Sequence, residues 1–443
     1  MPTTNPIISL FHNRNFVYLW SIQTITQIGA NMLLFILAMQ VYSISNSNTA
    51  VGLLFLVYGV PNVALAAFAG ALVDRVGAKK MILISNLFRV PVLLLFIFLH
   101  GNVAAALILA FVFSVVTQFF FPAGGAALPT LVSKDELLAA NSFFSFTFYL
   151  SLLLGFIGAG FALKIFGDTG IYVFLSLGFL LATFLSSFLP PKLNFWPRLN
   201  SLLVHRGYKN FHLKIMVHIN NPFSVIKNNY HHLRLVSKDL WHVVLLISRK
   251  PVIFSSLLLL GFTQVTLAIL LSLAPGFSVR VLNIPLTDAS TFIMLPAGLG
   301  MIIGALFLAR FAAKWPKKAM RLWGLYSIGC VLFLLYPVSA VIRLPYLTGL
   351  LLFILGFGNA LIDVPSQTIL QEETDPEIRG RIFGILSTVV MAGATLPVVV
   401  VTILADLIGV GRVLLFVGAG VLIFTVIYQL SLSRLVRHFP RSV

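Results

Sequence analysis

Eight polar side chains stand inside long apolar runs of this chain, and their spacing is regular. Gln23, Gln27 and Asn31 follow one another at i, i+4 and i+8, which puts them on one face of a helix. Asn359, Asp363 and Gln367 repeat that spacing, and Gln118 and Gln264 stand singly in runs of their own. Amides both donate and accept hydrogen bonds, so such a set can line a water-filled cavity and hold a solute. They can equally tie helix to helix, at about 0.6–2 kcal/mol each. As a set they read better as a shared cavity. Asp363 is the one acid deep within an apolar run. An ionisable group there is costly and marks a functional site by default. A carboxyl in that setting is suited to take up and release a proton during transport, or to touch substrate. The structural alternative is a hydrogen bond within its own helix bundle.

The elements that position these residues follow from composition. The chain has 443 residues, 59% apolar and 9% charged. A soluble domain is nearer 25% charged, so this chain cannot cover several water-soluble bodies. A bilayer-crossing helix needs about 20 mostly apolar residues. Residues 15–73 carry no formal charge and hold two such spans, divided by a polar break at 43–50. Further spans run over about 81–99, 103–125, 138–163 and 170–189, then 252–279, 289–309, 322–342, 345–371, 381–405 and 413–432. The expected fold is all-α: a polytopic membrane protein with 12 transmembrane helices in two six-helix pseudo-repeat bundles. The expected divisions are 1–189, a basic linker at 190–250, and 251–443. Asp135–Ala140 resembles Pro376–Arg381 at the start of the fifth helix of each half. The amides and Asp363 fall in spans 1, 4, 7 and 10, the first helix of each three-helix unit.

Charge fixes the expected orientation. The chain has 30 Lys and Arg against 12 Asp and Glu, a net of +18. With both termini inside, 26 of the 30 cations lie on the cytoplasmic side; Lys164, Arg280, Arg343 and Arg412 are outside. This obeys the positive-inside rule and removes nucleic acid as a partner. Arg89, in span 3, is counted inside and read as a side chain that snorkels to the cytoplasmic interface rather than one that binds substrate. Cys330 is the one cysteine, expected to be a buried small residue, so no intramolecular disulfide is possible. The glycine clusters Gly155, Gly158, Gly160 and Gly298, Gly300, Gly304 read as sites of tight helix packing.

The loop after span 2 reads Gly70-Ala-Leu-Val-Asp74-Arg75-Val-Gly77-Ala-Lys79-Lys80. Gly70 permits close helix approach, Gly77 a tight turn, and Asp74 puts a negative charge at the membrane surface. This run resembles the G-x-x-x-D-R-x-G-x-[KR]-[KR] motif of the major facilitator superfamily. The resemblance implies that Asp74 and Arg75 meet Arg379 and Arg381 at the start of span 11, a cytoplasmic latch supported by the helix dipole. Three further stretches are similar to the drug/proton antiporter branch, which includes the enterobactin exporter and macrolide efflux proteins. They are Phe11–Phe16, Leu128–Val132 with Leu137–Ser142, and Gln371 through Gly384. Many of those relatives carry an acid just after the glycine of span 1. Here Gly29 is followed by Ala30 and Asn31, which shifts the coupling role to Asp363.

The linker holds ten Lys and Arg, one acid, and six of the nine histidines. It reads as a segment lying on anionic lipid, with an amphipathic helix at 233–247. No His pair has the spacing and acidic partner of a metal site. No ATP-binding loop is present, so energy must come from an ion gradient. The expected function is a proton-coupled exporter of an amphipathic small molecule, a drug or siderophore, working by alternating access in a bacterial inner membrane. It is expected to need no cofactor, to act as a monomer and not to be an enzyme. A lipid or lysophospholipid translocator of the same fold is the alternative. A membrane-embedded transferase is the alternative of another class, but the acid cluster Glu372, Glu373, Asp375 and Glu377 reads as the loop preceding span 11.

Overall fold

The computed structural model describes residues 6–99, 101–133, 136–191, 193, 251–311, 315–342, 345–373 and 396–438. Among these every regular element is helical. A short α1 (Pro6–His12) leads into α2 (Arg14–Ser45). Asn13 joins them: its side chain accepts from the backbone N–H of Asn15 and Phe16 and donates to the Leu131 carbonyl at 2.7 Å. It therefore caps α2 and ties it to the end of α6 (Val103–Leu131). The second span is broken into α3 (Asn48–Ala64) and α4 (Ala66–Val76) just after Pro61. Gly77, at φ 93°, makes the turn into α5 (Ala78–Phe98). The fifth and sixth spans form one continuous element, α7 (Leu137–Ser187), which reverses at Gly167, φ 68°. Only glycine adopts such a backbone at no steric cost.

The second half begins at α8 (Pro251–Phe277), followed by three short turns at Ser278–Leu282, Leu286–Asp288 and Ser290–Met294. Then come α9 (Leu295–Phe311), α10 (Lys317–Pro337), α11 (Pro345–Glu373), α12 (Leu396–Ile408) and α13 (Val410–His438). Nine helices among the described residues are long and apolar enough to cross a membrane. The difference from twelve is accounted for locally. The element α7 carries two spans, the break at Leu65 divides another, and the described part of span 11 is the short α12.

Close packing in the second half depends on missing side chains. A Cβ at Gly356 would sit 1.8 Å from the Ala297 carbonyl oxygen, and one at Gly300 would sit 2.0 Å from that of Phe353. The backbones of α9 and α11 are thus in direct contact. A Cβ at Gly155 would sit 2.7 Å from Asn31 Cβ and 2.9 Å from the Ile28 carbonyl oxygen of α2. Both glycine clusters serve tight packing, as their spacing predicts.

Three expectations change. Beside Gly70 no described atom lies within 4 Å of a Cβ position, so no close approach occurs there among the described residues. Cys330 is exposed, because an apolar run on a membrane helix can face lipid as readily as protein. Arg89 does not snorkel: it stands midway along α5 and has no exposed surface. The linker at 194–250, with its histidines and its expected amphipathic helix, lies outside the described residues, as do Arg379 and Arg381.

Candidate functional site

Two adjoining cavities share Leu152, Phe156 and Leu267 as walls. The smaller, about 230 Å³, is the more polar of the two, with most of its polar side chains from the N-terminal bundle. Thr26, Gln27 and Asn31 of α2, Tyr58 and Asn62 of α3, Arg89 of α5 and Thr117 of α6 line it. Gln264 and Leu271 of α8 and Val398 of α12 close it from the other bundle. The larger, about 520 Å³, is apolar. Leu153 of α7, Met301 and Leu306 of α9, and Leu267 and Leu270 of α8 line it, with Asp363 of α11 as its one acid.

The amides predicted from the sequence differ in where they stand. Gln27, Asn31 and Gln264 face the polar cavity. Gln27 also accepts from the Ser151 hydroxyl at 3.0 Å. Gln118 stands behind the wall: its side-chain amide donates to Asn62, which does face the cavity. Gln23 and Asn359 are buried but line neither cavity. Gln367 donates to the Asp363 carboxylate at 2.9 Å, and the Thr263 hydroxyl lies 3.5 Å from its other oxygen. Asp363 is thus held by a residue one helical turn away and by one on the neighbouring helix, with its carboxyl at the wall of the apolar cavity.

Sequence reasoning missed the role of Arg89. Its guanidinium lies 5.0, 5.2 and 5.7 Å from the ring centres of Phe120, Phe179 and Phe113. Its Nη1 donates to Asn86 Oδ1 at 2.7 Å, and the Thr26 hydroxyl meets the same oxygen at 3.2 Å. The rings come from α6 and α7, so a reading of α5 alone could not find them.

The polar ties between the two bundles cluster at the end that carries the α2–α3 turn. There Asp406 of α12 lies at the N-terminus of α3. Its carboxylate accepts from Ser47 Oγ (2.6 Å), the backbone N–H of Asn48 (2.9 Å) and Thr49 (2.8 Å), and Asn48 Nδ2 (2.9 Å). Arg280 stands 3.6 Å from the same carboxylate and donates to the Asn46 carbonyl. Lys164 pairs with Asp288 nearby. Burial alone would push the Asp406 carboxyl up, but the donors from Ser47, Thr49 and Asn48 outweigh it and hold the group well below the usual carboxylate range. A helix N-terminus offers unpaired N–H groups and a favourable dipole, and Asp406 uses both.

At the opposite end, Lys79 of the loop motif donates to the Ser187 carbonyl at 2.7 Å and to that of Leu189. It caps the end of α7 and is not free loop charge. Lys80 is exposed. Asp74 and Arg75 lie on α4, and their side chains are outside the described residues, so the expected contact with Arg379 and Arg381 is outside them too.

The Major Facilitator Superfamily model matches residues 19–397, most of the chain and both bundles. The chain belongs to the Major Facilitator Superfamily. Among curated relatives, the uncharacterized MFS-type transporter YjbB of Bacillus subtilis (strain 168) is 23% identical over 447 residues, covering 98% of this chain and 99% of the relative. A second from that strain, YkuC, is 28% identical over 158 residues, and the match spans only 34% of this chain and 36% of YkuC. Solved structures of similar fold include a peptide transporter POT in complex with sulfate (TM-score 0.68, 13% identity, 96% of this chain and 95% of that one). The nucleoside transporter NupG is another (TM-score 0.62, 12% identity, 94% and 98%). A bacterial homolog of the human lysosomal transporter Spinster, inward-facing and unoccupied, also matches (TM-score 0.60, 15% identity, 88% and 82%). At these identities the likeness is one of fold. A superfamily chain of this kind is a multi-pass membrane transporter rather than an enzyme.

Proposed function

We propose that this chain is a proton-coupled exporter of an amphipathic small molecule, with Asp363 as the group that carries the proton. The observation behind this reading is the position of Asp363: a carboxyl at the wall of a large apolar cavity, next to a polar one lined by both bundles. An apolar chamber with one acid suits a substrate with an apolar body, and a polar neighbour suits its head group. Uptake of a proton by Asp363 removes a charge from the membrane interior and loosens its hold on Gln367. The two bundles can then re-pack around the cavities.

The charge-poor end is assigned to the outside by the positive-inside rule, which makes the Asp406 clasp an outer gate in its closed form. Both termini are then cytoplasmic, and a bacterial cell membrane suits the likeness to the Bacillus chains. Asp74, Arg75, Arg379 and Arg381 are assigned to the cytoplasmic latch that forms when the outer gate opens. The pairing would be reciprocal. Asp406 ends span 11 and caps the start of span 2, and Asp74, near the end of span 2, would cap the start of span 11.

The test is substrate-stimulated proton flux in proteoliposomes across a compound panel, wild type against Asp363→Asn. Loss of pH-driven flux in a folded Asp363→Asn protein is the expected result. Unchanged flux in that variant overturns the proposal. Lipid-flip assays in the same vesicles address the alternative of a lipid translocator.

A further inference from the structure

Behind the wall of the polar cavity lie buried hydrogen-bond donors with no acceptor among the described residues. Arg89 is fully buried, and its Nη1 is spent on Asn86. Its Nε and Nη2 make no hydrogen bond among the described residues, and neither does the Nδ2 of Asn86. No ion pair of Arg89 exists among the described residues. The three phenylalanine rings around it supply attraction but no lone pairs, so they leave those N–H groups unpaired. Buried donors are nearly always satisfied, and a buried cation is nearly always paired.

The unused atoms also have a specific shape. Nε and Nη2 form one edge of the guanidinium, the fork that takes a carboxylate, sulfonate or phosphate through two parallel hydrogen bonds. Arg89 and its cover Phe120 both belong to the wall of the cavity, with Thr26 and Thr117 beside them. We infer that the polar cavity is an anion site, filled by a substrate that carries an acidic group on an aromatic or apolar body. The acid displaces the Phe120 ring and seats on the free edge of Arg89, while the body lies against Phe120, Phe121 and Phe156 and reaches toward the apolar cavity. This rests on the reading that the paired cavities are the transport site. It narrows the substrate from any amphipath to an organic anion.

The test is equilibrium binding to the full chain in phosphatidylcholine nanodiscs, with empty discs subtracted. The probes are naphthalene-2-sulfonate, 2-naphthoate and the neutral naphthalene-2-sulfonamide. An arm with 1-oleoyl-lysophosphatidate tells a lipid head group from a small organic acid as the source of the anion. The expected result is that at least one anion binds about tenfold or more tightly than the sulfonamide. Arg89→Gln should remove that preference, bringing the anions and the sulfonamide to similar affinity. Asn86→Asp tests the same point without removing the arginine. It sets a carboxylate where the Asn86 oxygen now meets Nη1, satisfies the charge internally, and should abolish the preference in a stably folded protein. Equal binding of all probes to the wild type, or an anion preference that survives in a folded Arg89→Gln or Asn86→Asp protein, overturns the inference. Binding needs no proton gradient, so the preference is read in the wild type independently of any proton flux. Its loss through Arg89 and the loss of proton flux through Asp363 are therefore separate outcomes.

Discussion

Single side chains in this protein have roles that their residue type only partly announces. Lys79 sits in a loop motif whose charges could have been mere orientation signals, yet it holds the last carbonyls of α7. Lys79→Met should leave those carbonyls without their charged donor and cost about 1–2 kcal/mol, read as a lowered thermal midpoint with unchanged substrate selectivity. Asp363 and the amides of α2 and α8 were legible in the sequence because such residues are improbable in apolar runs, whatever surrounds them. Arg89 was not. Its place in α5 was plain, but its burial depends on rings contributed by α6 and α7, and no pattern within one helix records that. Gln23 and Asn359 show the converse: spacing put them on the polar face, but the cavity walls end before they reach it.

Pairs of helices set what the protein can and cannot change. The contact of α9 with α11 runs backbone to backbone at Gly300 and Gly356. Gly356→Ala should force the two helices apart and destabilise the protein by about 1–3 kcal/mol, measured by thermal unfolding in nanodiscs. The contact of α3 with α12 is of another kind, polar and reversible. Asp406→Asn removes the charge from the clasp. It should shift the population toward an outward-open state by about 1–3 kcal/mol, or about 5–150-fold. Spin labels at Ile44→Cys and Leu407→Cys, both exposed positions, in a Cys330→Ser background would report this as a longer distance. The sign of the pH effect also follows. The clasped carboxyl is held below its free value of 3.8, so the clasp is complete above that pH and is lost only as pH falls through the depressed value. Between pH 5 and 8 the clasp itself does not titrate, so any change of label distance in that window comes from a group elsewhere and should be absent in Asp363→Asn. Neither contact was readable beforehand. Glycine spacing announces close packing but not the partner, and Asp406 had no mark beyond being one of the few acids outside.

For the molecule as a whole, composition carried the reading furthest. Twelve apolar runs and a one-sided charge distribution led to a two-bundle membrane protein, and the helices and the superfamily match agree with that. What composition could not supply was conformation, because the same spans serve every state of a transporter and only contacts between bundles tell the states apart. The basic linker belongs to this scale too. Replacing residues 194–250 with a neutral flexible segment of equal length should lower activity in vesicles rich in anionic lipid and leave the order of substrates unchanged, as read by flux across the compound panel. A different substrate order would count against its assignment to the lipid surface. At the end assigned to the outside, Asp406 can be regarded as a tethered ligand: a carboxylate delivered to the α3 N-terminus at the high effective concentration that covalent connection provides. It acts there as a built-in competitor, which any soluble acid arriving from outside must displace. Removing it, as in Asp406→Ala, should vacate a receptor that free formate can occupy, so that added formate restores closure in a concentration-dependent way.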